Sequence, residues 1–276
     1  MADKHTAFVG SIPPIYDRCL GPLLFHGFAA DLAARLPAKT GLRVLETACG
    51  TGIVTERLVQ RLRGTGTVVA TDLNEAMLEH ARARLAPAGV EWRQADATSL
   101  PFPDESFDAV VCQFGVMFFP DKLEGAREAR RVLRPGGLFL FSTWDAIEHN
   151  AVARITHETV AKIFPDDPPA FYRIPFSLHD AGAIHEVLER AGFEQIERRR
   201  VETTGTSPSA EDAAFGLIHG NPIYGEIMTR RPDALESVKA AVATNIRAEL
   251  GDRPVRCPLR ALVFQATRPT RSSPSR

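Results

Sequence analysis

Apolar and polar positions follow two alternating patterns along residues 42–144. Short apolar runs, such as VVATD and SFDAVVCQF, are typical of buried strands. Between them, TGIVTERLVQRLRG places Val54, Leu58 and Leu62 four positions apart, which predicts the buried face of a helix. Further strands are predicted in LRVLET, VEWRQAD and GGLFLFSTW, and further helices in NEAMLEHARARLA and DKLEGAREARRVL. The alternation predicts an α/β fold with a parallel sheet and helices on both faces.

Local signals predict where several elements begin and end. Asn74 is a good N-cap for the helix that follows it, and Pro135 with the two glycines of LRPGG predicts a sharp helix end. Residues 1–40 are predicted to be a helical lead-in. Its apolar stripe consists of Leu24, Phe28, Leu32 and Leu36.

The alternation ends after Trp144. HNAVARITHETVAKIF and DAGAIHEVLERAG predict helices, whereas FEQIERRRVETTG and RALVFQATR predict strands. We expect residues 41–268 to form one domain with a helical lid in segments at about 145–190 and 205–252. Residues 269–276, which include the polar PTRSSPSR segment, are expected to be disordered.

Composition argues against several classes of protein. The formal net charge is −1, so no general basic field is available to attract nucleic acid. No apolar run approaches the roughly 18 residues of a membrane-spanning helix, and the N-terminal sequence lacks the apolar core of a signal peptide. The four cysteines are far apart and fit neither a metal site nor a disulfide framework. We expect a soluble, cytoplasmic protein with reduced thiols, no nucleic-acid or membrane partner and no metal.

Four polar or glycine-rich features follow predicted strands. They are the turn from Glu46 to Gly52, then Asp72, then Asp96 in ADATSLPF, and finally CQFGVMFFPD. In open parallel sheets, ligands bind beyond the carboxyl ends of the strands, near the point where the strand order reverses. The common position of the four features therefore predicts a cofactor site.

The residue types at these positions favour one kind of cofactor. Gly50 and Gly52 allow close approach of the backbone, and the helix after them directs free N–H groups at a ligand. Asp72 can accept hydrogen bonds from two ribose hydroxyls, and Asp96 can accept one from the amino group of adenine. Glu46 disfavours a pyrophosphate and favours an ammonium group. Adenosine with an ammonium and no phosphate describes S-adenosylmethionine.

The motifs VLETACGTG, VVATDLNEAML, ADATSLPFPDESFDAVVCQFGVMFFPD and RVLRPGGLFLFSTW resemble, in order and spacing, one known family. They resemble the class I, Rossmann-like S-adenosylmethionine-dependent methyltransferases, in the small-molecule branch that includes the ubiquinone/menaquinone-biosynthesis C-methyltransferases. The lead-in PPIYDRCLGPLLF is also similar to that branch. The resemblance implies a seven-stranded sheet whose last strand, RALVFQATR, is antiparallel. Ala48 replaces the usual first glycine of the turn, and an alanine can be tolerated there if it keeps a negative φ.

The resemblance also implies roles for individual residues. Those implied to bind S-adenosylmethionine, and its product S-adenosylhomocysteine, are Tyr16, Glu46, Ala48, Gly50, Gly52, Asp72, Leu73, Met77, Asp96, Ala97, Gln113 and Phe114. The region after Trp144 is implied to bind the substrate. Aromatic and apolar residues predicted to contact the substrate are Phe25, Met117, Trp144, Phe171 and Tyr172. His149 is the best candidate for a general base.

Structural interpretations compete at several of these positions. Asp72 can serve as a helix-end charge, Asp96 can form a local Asx turn, and Met117 can be a core residue. The histidines, including His149, are more often surface or packing residues than bases. Cys49 is interpreted as a small packing residue.

The predicted reaction is methyl transfer to an oxygen, nitrogen or carbon atom of a small molecule of aromatic, quinone or terpenoid type. Positioning in a dry pocket supplies the main rate enhancement, since the sulfonium is already an excellent leaving group. Two alternatives remain open. One is a non-methylating protein that binds S-adenosylmethionine on the same fold, such as a pericyclase, scaffold or regulator. The other is an NAD(P) oxidoreductase, against which Glu46 argues.

Overall fold

A computed structural model describes residues 8, 10–86 and 89–270. Within these residues, seven strands form one sheet in the order β3-β2-β1-β4-β5-β7-β6. The strands are β1 (Arg43–Glu46), β2 (Thr67–Asp72), β3 (Glu91–Gln94), β4 (Phe107–Gln113), β5 (Leu133–Trp144), β6 (Glu194–Ser207) and β7 (Val255–Thr267). β1 to β5 pair in parallel, and β7 pairs antiparallel with both β5 and β6. The predicted Rossmann-like sheet with an antiparallel last strand is confirmed.

Ten α-helices and one π-helix surround the sheet in the described part of the chain. The α-helices are α1 (Ile12–Ile15), α2 (His26–Ala34), α3 (Ile53–Leu62), α4 (Glu75–Arg84), α5 (Lys122–Val132), α6 (Ala151–Ile163), α7 (Ala181–Arg190), α8 (Ala210–His219), α9 (Ile223–Arg230) and α10 (Leu235–Leu250). The π-helix comprises Tyr16–Phe25. None of the described helices has both the length and the hydropathy that crossing a bilayer requires.

Two large apolar clusters place helices on both faces of the sheet. The first cluster joins the lead-in, α3, α6, α8 and α10 to inward residues such as Val44 and Ala109. The second joins α5 and α7 to Phe139 and Phe141 on the opposite face. α7 therefore does not cover the site as the expected lid segment at about 145–190 implies, because Ile184 and Leu188 pack against the far face.

The described part of the lead-in is largely helical, as expected, but its helices are not all regular α-helices. Phe28, Leu32 and Leu36 of the apolar stripe are buried, as that pattern indicates. Upstream of them, however, the chain is a π-helix that contains Pro22, and the N–H of His26 donates to the Gly21 carbonyl five residues earlier. Proline supplies no N–H to a regular helical ladder, and the wider helix accommodates this gap.

The helix ends directly before LRPGG, as predicted, and the LRPGG segment itself is the start of the next strand. α5 ends at Val132, but β5 already begins at Leu133, with a register shift against β4. The N–H of Gly136 donates to the Arg268 carbonyl (2.9 Å), and the N–H of Arg268 donates to the Gly137 carbonyl (2.8 Å). Pairing with the end of the chain thus extends the strand through residues that locally favour a turn. The rest of the predicted tail, residues 271–276, lies outside the described residues.

Candidate functional site

A cavity of about 400 Å³ opens at the carboxyl ends of β1, β2 and β4. β1 lies between β2 and β4, so the strand order reverses here and leaves a crevice between the flanking loops. The structure brings ten of the twelve predicted cofactor residues to this cavity: Tyr16, Ala48, Gly50, Asp72, Leu73, Met77, Asp96, Ala97, Gln113 and Phe114. Glu46 and Gly52 are not among the residues that line it.

The turn after β1 is held by backbone hydrogen bonds to the neighbouring strands. The N–H of Thr47 donates to the Val111 carbonyl (2.9 Å), and the N–H of Cys49 donates to the Thr71 carbonyl (2.9 Å). Cys49 is buried, in agreement with its interpretation as a packing residue. The turn is consequently fixed in space before any ligand arrives.

Ala48 does not keep the negative φ under which an alanine is readily tolerated at this position. Ala48 has φ +52°, in the left-handed region that costs a non-glycine residue about 1–2 kcal/mol. Its methyl group faces Gly115, where an added Cβ would lie 2.5 Å from the Ala48 Cβ. The loop after β4 therefore provides, through Gly115, the space that this alanine needs.

Gly50 and Gly52 serve different purposes. Both have positive φ (+55° and +81°), but a Cβ at Gly50 would meet no protein atom within 4 Å, on a residue that lines the cavity. A Cβ at Gly52 would lie 3.0 Å from Leu85 Cδ1 and 3.2 Å from Ala81 Cβ. Gly50 leaves room for a ligand, whereas Gly52 allows α4 to pack against the turn.

The two glycines therefore form a matched pair of variants. We expect Gly50→Ala to weaken S-adenosylhomocysteine binding by at least about tenfold, with a loss of stability limited to about 1–2 kcal/mol from its left-handed φ. Gly52→Ala should lower the unfolding temperature more, since it adds packing conflict to the same backbone cost. Calorimetric titration and thermal unfolding of both variants check this expectation. Equal binding losses at equal stability would contradict the division of roles.

Asp72, at the end of β2, joins the turn to α4. Its Oδ2 accepts a hydrogen bond from the N–H of Gly50 (2.8 Å), and its Oδ1 accepts one from the N–H of Asn74 (2.8 Å). Asn74 stands at the N-cap position of α4 as predicted, but its side chain makes no capping hydrogen bond. Burial raises the pKa of Asp72, and the hydrogen bonds from Asn74 and Gly50 oppose part of that rise. Each carboxylate oxygen keeps acceptor capacity for a hydroxyl group in the cavity.

Glu46 has a buried carboxyl group whose hydrogen bonding is incomplete among the described residues. The residue is 1% exposed, and Oε2 has no hydrogen-bond partner among the described residues. Burial raises the pKa of Glu46 to about 8. A cationic group held next to this carboxyl would satisfy the unpartnered oxygen and favour its ionised form. The residues present therefore fit a ligand that carries an ammonium.

Asp96 forms the Asx turn considered for it and also lies at the cavity. Its Oδ1 accepts hydrogen bonds from the N–H of Thr98 (2.8 Å) and from the Thr98 hydroxyl (2.7 Å), which is an Asx turn. Asp96 nevertheless lines the cavity beside Ala97. Because the turn uses Oδ1, Oδ2 is available to accept from an amino group.

The end of β4 forms the inner wall of the cavity. Gln113 has an amide oxygen without a partner among the described residues, and Phe114 adopts φ +50°. The Phe114 ring stacks on Trp144 with a centroid distance of 3.9 Å and an interplanar angle of 5°. Met117, predicted to contact substrate, is 1% exposed and belongs to the apolar core. The competing interpretation of Met117 as a core residue is the one the structure supports.

A second, inner cavity of about 60 Å³ lies behind this wall, and we call it the aromatic chamber. Four of the five residues predicted to contact substrate line it: Phe25, Trp144, Phe171 and Tyr172. Four aromatic residues line both cavities and thus separate them: Phe8, Tyr16, Phe114 and Phe118. Phe8 has no signal in the sequence, because its part of the chain precedes every recognisable element.

His149 lies away from both cavities. Its side chain is exposed, and it lines a separate depression with Glu202, Thr203 and Arg260. The neighbouring Asn150 faces the chamber instead, and its side chain is bonded to the Arg260 backbone. This placement gives no support to His149 as a base. No group of three or more His, Cys, Asp or Glu side chains in the described residues is arranged to hold a metal ion.

Comparisons with known proteins agree with this geometry. A family model described as "Methyltransferase domain" matches residues 45–141. The ubiquinone/menaquinone biosynthesis C-methyltransferase UbiE of Shewanella halifaxensis is 31% identical over 173 residues, and the match covers 58% of this chain and 69% of that protein.

Two solved structures share the fold at lower identity. Phosphoethanolamine N-methyltransferase 2 of Haemonchus contortus, in complex with S-adenosylhomocysteine, has a TM-score of 0.60 at 19% identity and covers 94% of this chain and 58% of that one. The cyclase SpnF has a TM-score of 0.59 at 19% identity and covers 94% of this chain and 93% of that one. The family match, the UbiE relative and the cavity at the strand ends agree with one another. The chain therefore belongs to the class I, Rossmann-like S-adenosylmethionine-dependent methyltransferases, in the branch that resembles the ubiquinone/menaquinone-biosynthesis C-methyltransferases.

Proposed function

We propose that this enzyme transfers the methyl group of S-adenosylmethionine to a neutral, apolar small molecule of aromatic, quinone or terpenoid type. The observation that carries the proposal is the aromatic chamber, which shares its wall with the cofactor cavity. None of the described residues that line the chamber is charged. An acceptor with a carboxylate or phosphate would lose its hydration there without gaining a partner.

The proposed cofactor contacts combine residues that line the larger cavity with the buried carboxyl group of Glu46, which is not among the lining residues. Glu46 would hold the ammonium group, Asp72 the ribose hydroxyls, and Asp96 with Ala97 the adenine. S-adenosylmethionine supplies a methyl group on a positively charged sulfur when it is bound. Tyr16 and Phe114 line both cavities, so their rings would flank the path of that methyl group. Aromatic faces stabilise a neighbouring cation in a dry site.

The chamber contains no suitable general base among its described lining residues. Its titratable groups are the phenols of Tyr16 and Tyr172, and burial raises the pKa of both. Both phenols therefore stay neutral near pH 7. The protein's contribution is to orient the acceptor and exclude water, which can supply roughly 7–11 kcal/mol. An electron-rich carbon or a neutral nitrogen suits such a site better than an oxygen that must first lose a proton.

A panel of paired acceptors tests this proposal. Each pair consists of an aromatic, quinol or terpenoid compound and the same compound with an added carboxylate. With S-adenosylmethionine present, we expect mass spectrometry to detect a one-methyl increase for neutral members and little or none for their charged partners. Methylation of the charged members alone would overturn the proposed acceptor class. S-adenosylhomocysteine binding without any methylated product would favour the non-methylating alternative.

Two variants separate acceptor binding from surface effects. Trp144→Ala should remove the stacking partner of Phe114 and reduce turnover of the acceptor by about tenfold or more, because positioning is lost. S-adenosylhomocysteine affinity should remain within about threefold, since Trp144 lines only the chamber. His149→Ala serves as the control, and its turnover should stay within about threefold of the unmodified enzyme at all pH values. A loss of 10²-fold or more in His149→Ala would restore that residue as the base.

We also infer a reducing, cytoplasmic compartment. All four cysteines are free thiols, and Cys49, Cys112 and Cys257 are buried. Free buried thiols are typical of proteins kept in a reducing environment. Detection of the enzyme in a cytoplasmic fraction, with four titratable thiols after denaturation, would support this assignment.

A further inference from the structure

The lead-in is fastened to the cofactor turn through one acidic side chain, Asp17. Its Oδ1 accepts a hydrogen bond from the hydroxyl of Thr51 (3.2 Å), the residue between Gly50 and Gly52 in the cofactor turn. Its Oδ2 lies 3.4 Å from His80 Nε2 on α4. One side chain of the π-helix thus contacts both elements that border the cofactor cavity on this side.

Arg84 completes the network from the end of α4. Its Nε lies 3.7 Å from Asp17 Oδ1 and donates to the Thr51 carbonyl (3.2 Å), and its Nη1 donates to Glu56 Oε2 (2.9 Å). The side chains of Asp17 and Arg84 are 21% and 25% exposed, so the charges are partly shielded from water. Partial shielding from water strengthens the Coulomb attraction between these charges relative to that of a fully exposed pair.

The same short segment carries the aromatic wall between the cavities. Tyr16 precedes Asp17 directly and lines both cavities. Its ring stacks on Phe25 (4.8 Å between centroids) and packs edge-on against Phe8 (5.9 Å). Any shift of Asp17 would therefore displace Tyr16, and with it the aromatic rings packed against it.

Residues of the cofactor turn and of the lead-in line the same cavity of about 400 Å³. Movement of Tyr16 and Phe8 away from the turn would widen this cavity on the side of the lead-in. That movement requires breaking the contacts of Asp17 with Thr51, His80 and Arg84. These contacts therefore oppose opening of the cavity on this side.

We propose that Asp17 is a positioning residue that latches the lead-in onto the cofactor turn and thereby holds Tyr16 against bound cofactor. This inference rests on the cofactor contacts proposed above. It makes a specific kinetic claim: the latch slows dissociation of the cofactor, whereas association through the open form is little affected.

The test measures dissociation and association rates of S-adenosylhomocysteine for three variants of the full-length enzyme. Asp17→Ala removes every contact of the latch. Asp17→Asn keeps the shape and the acceptor for Thr51 but loses the charge facing Arg84, and it serves where Asp17→Ala folds poorly. Asp31→Ala is the matched control, because Asp31 is a partly buried aspartate of the same lead-in whose ion pair among the described residues is local, with Arg35 four positions later (2.7 Å).

We expect Asp17→Ala to dissociate S-adenosylhomocysteine about tenfold faster and Asp17→Asn to show a smaller increase, with association within about twofold in both. In the unmodified enzyme, S-adenosylhomocysteine should also slow tryptic cleavage after the exposed Arg18, and Asp17→Ala should lose this protection. Asp31→Ala should behave as the unmodified enzyme does. Dissociation within about twofold of the unmodified rate in both Asp17 variants, with a lowered unfolding temperature, would overturn the latch and leave Asp17 a folding contact. Failure to find a methylated product would instead count against the proposed function, because the dissociation test needs no acceptor.

Discussion

Replacement of Asp72 by alanine is expected to weaken S-adenosylhomocysteine binding on the order of 10²-fold. The substitution removes a charged acceptor for two ribose hydroxyls, and each such hydrogen bond contributes roughly 1.5–3 kcal/mol. It also releases the N–H of Gly50, which Asp72 holds at 2.8 Å, so the turn loses its fixed position. Titration calorimetry over ligand concentrations up to the millimolar range measures the loss.

Asp108 provides a matched control for Asp72. It also accepts a backbone hydrogen bond across the sheet, from the N–H of Arg43 (2.9 Å), and pairs with Arg134 (2.9 Å). It lies at the opposite end of the strands, however, beside the start of β1. Asp108→Ala should lower stability by a similar amount and leave binding within about threefold. Comparable affinity losses in both variants would mean that Asp72 acts only through the stability of the sheet.

Binding of S-adenosylhomocysteine is expected to strengthen on the order of tenfold as the pH rises from about 6 to about 8. The cause is Glu46, whose pKa of about 8 in the free protein leaves it largely protonated at neutral pH. Because an ammonium favours the ionised carboxylate, binding of the ligand releases the proton of Glu46. A higher pH leaves less of Glu46 protonated beforehand, so binding becomes stronger. Calorimetry in buffers of different ionisation enthalpy measures both the affinity and the released proton.

Glu46→Gln should abolish this pH dependence and bind weakly throughout the range. In the absence of cofactor, however, Glu46→Gln is expected to make the folded protein more stable. The pKa of Glu46 is raised from 4.5 to about 8 in the folded chain. Between these two pKa values the unfolded state has lost the proton that the folded state still holds. The stability of the unmodified protein therefore falls as the pH rises from 4.5 to about 8. The unfolding temperature of Glu46→Gln should therefore exceed that of the unmodified enzyme by a margin that grows with pH. A pH dependence of binding that persists in Glu46→Gln would assign it to another group.

Local signals in the sequence were sufficient to predict the cofactor end of the sheet. Strand-like runs ending in Asp72, Asp96 and Gln113 identify the residues at the carboxyl edge, because strand direction is common to a parallel sheet. The structure places these side chains around one cavity for that reason. Helix boundaries at proline and glycine also follow local rules, as the break between α8 and α9 near Pro222 illustrates.

Features that depend on distant partners were not predictable in this way. The left-handed φ of Ala48 is tolerated because Gly115, 67 positions later in the chain, leaves room for its methyl group. The LRPGG segment becomes a strand because Arg268 pairs with it. Met117 and His149 have residue types that suit a site, but burial of one and outward placement of the other depend on packing of the whole chain. The contribution of Phe8 to the wall has the same long-range origin.

The central claim is that this chain moves a methyl group from S-adenosylmethionine to an apolar acceptor in the aromatic chamber. The most direct measurement supplies S-adenosylmethionine labelled in its methyl group, together with a fraction of neutral aromatic, quinol and terpenoid compounds, and follows the label. The account predicts that the label passes into a product extractable by organic solvent, with one S-adenosylhomocysteine formed for each methyl transferred and with the transfer greatly reduced in Asp72→Ala. S-adenosylhomocysteine that binds tightly while all label stays on the cofactor, across the whole acceptor fraction, would contradict it.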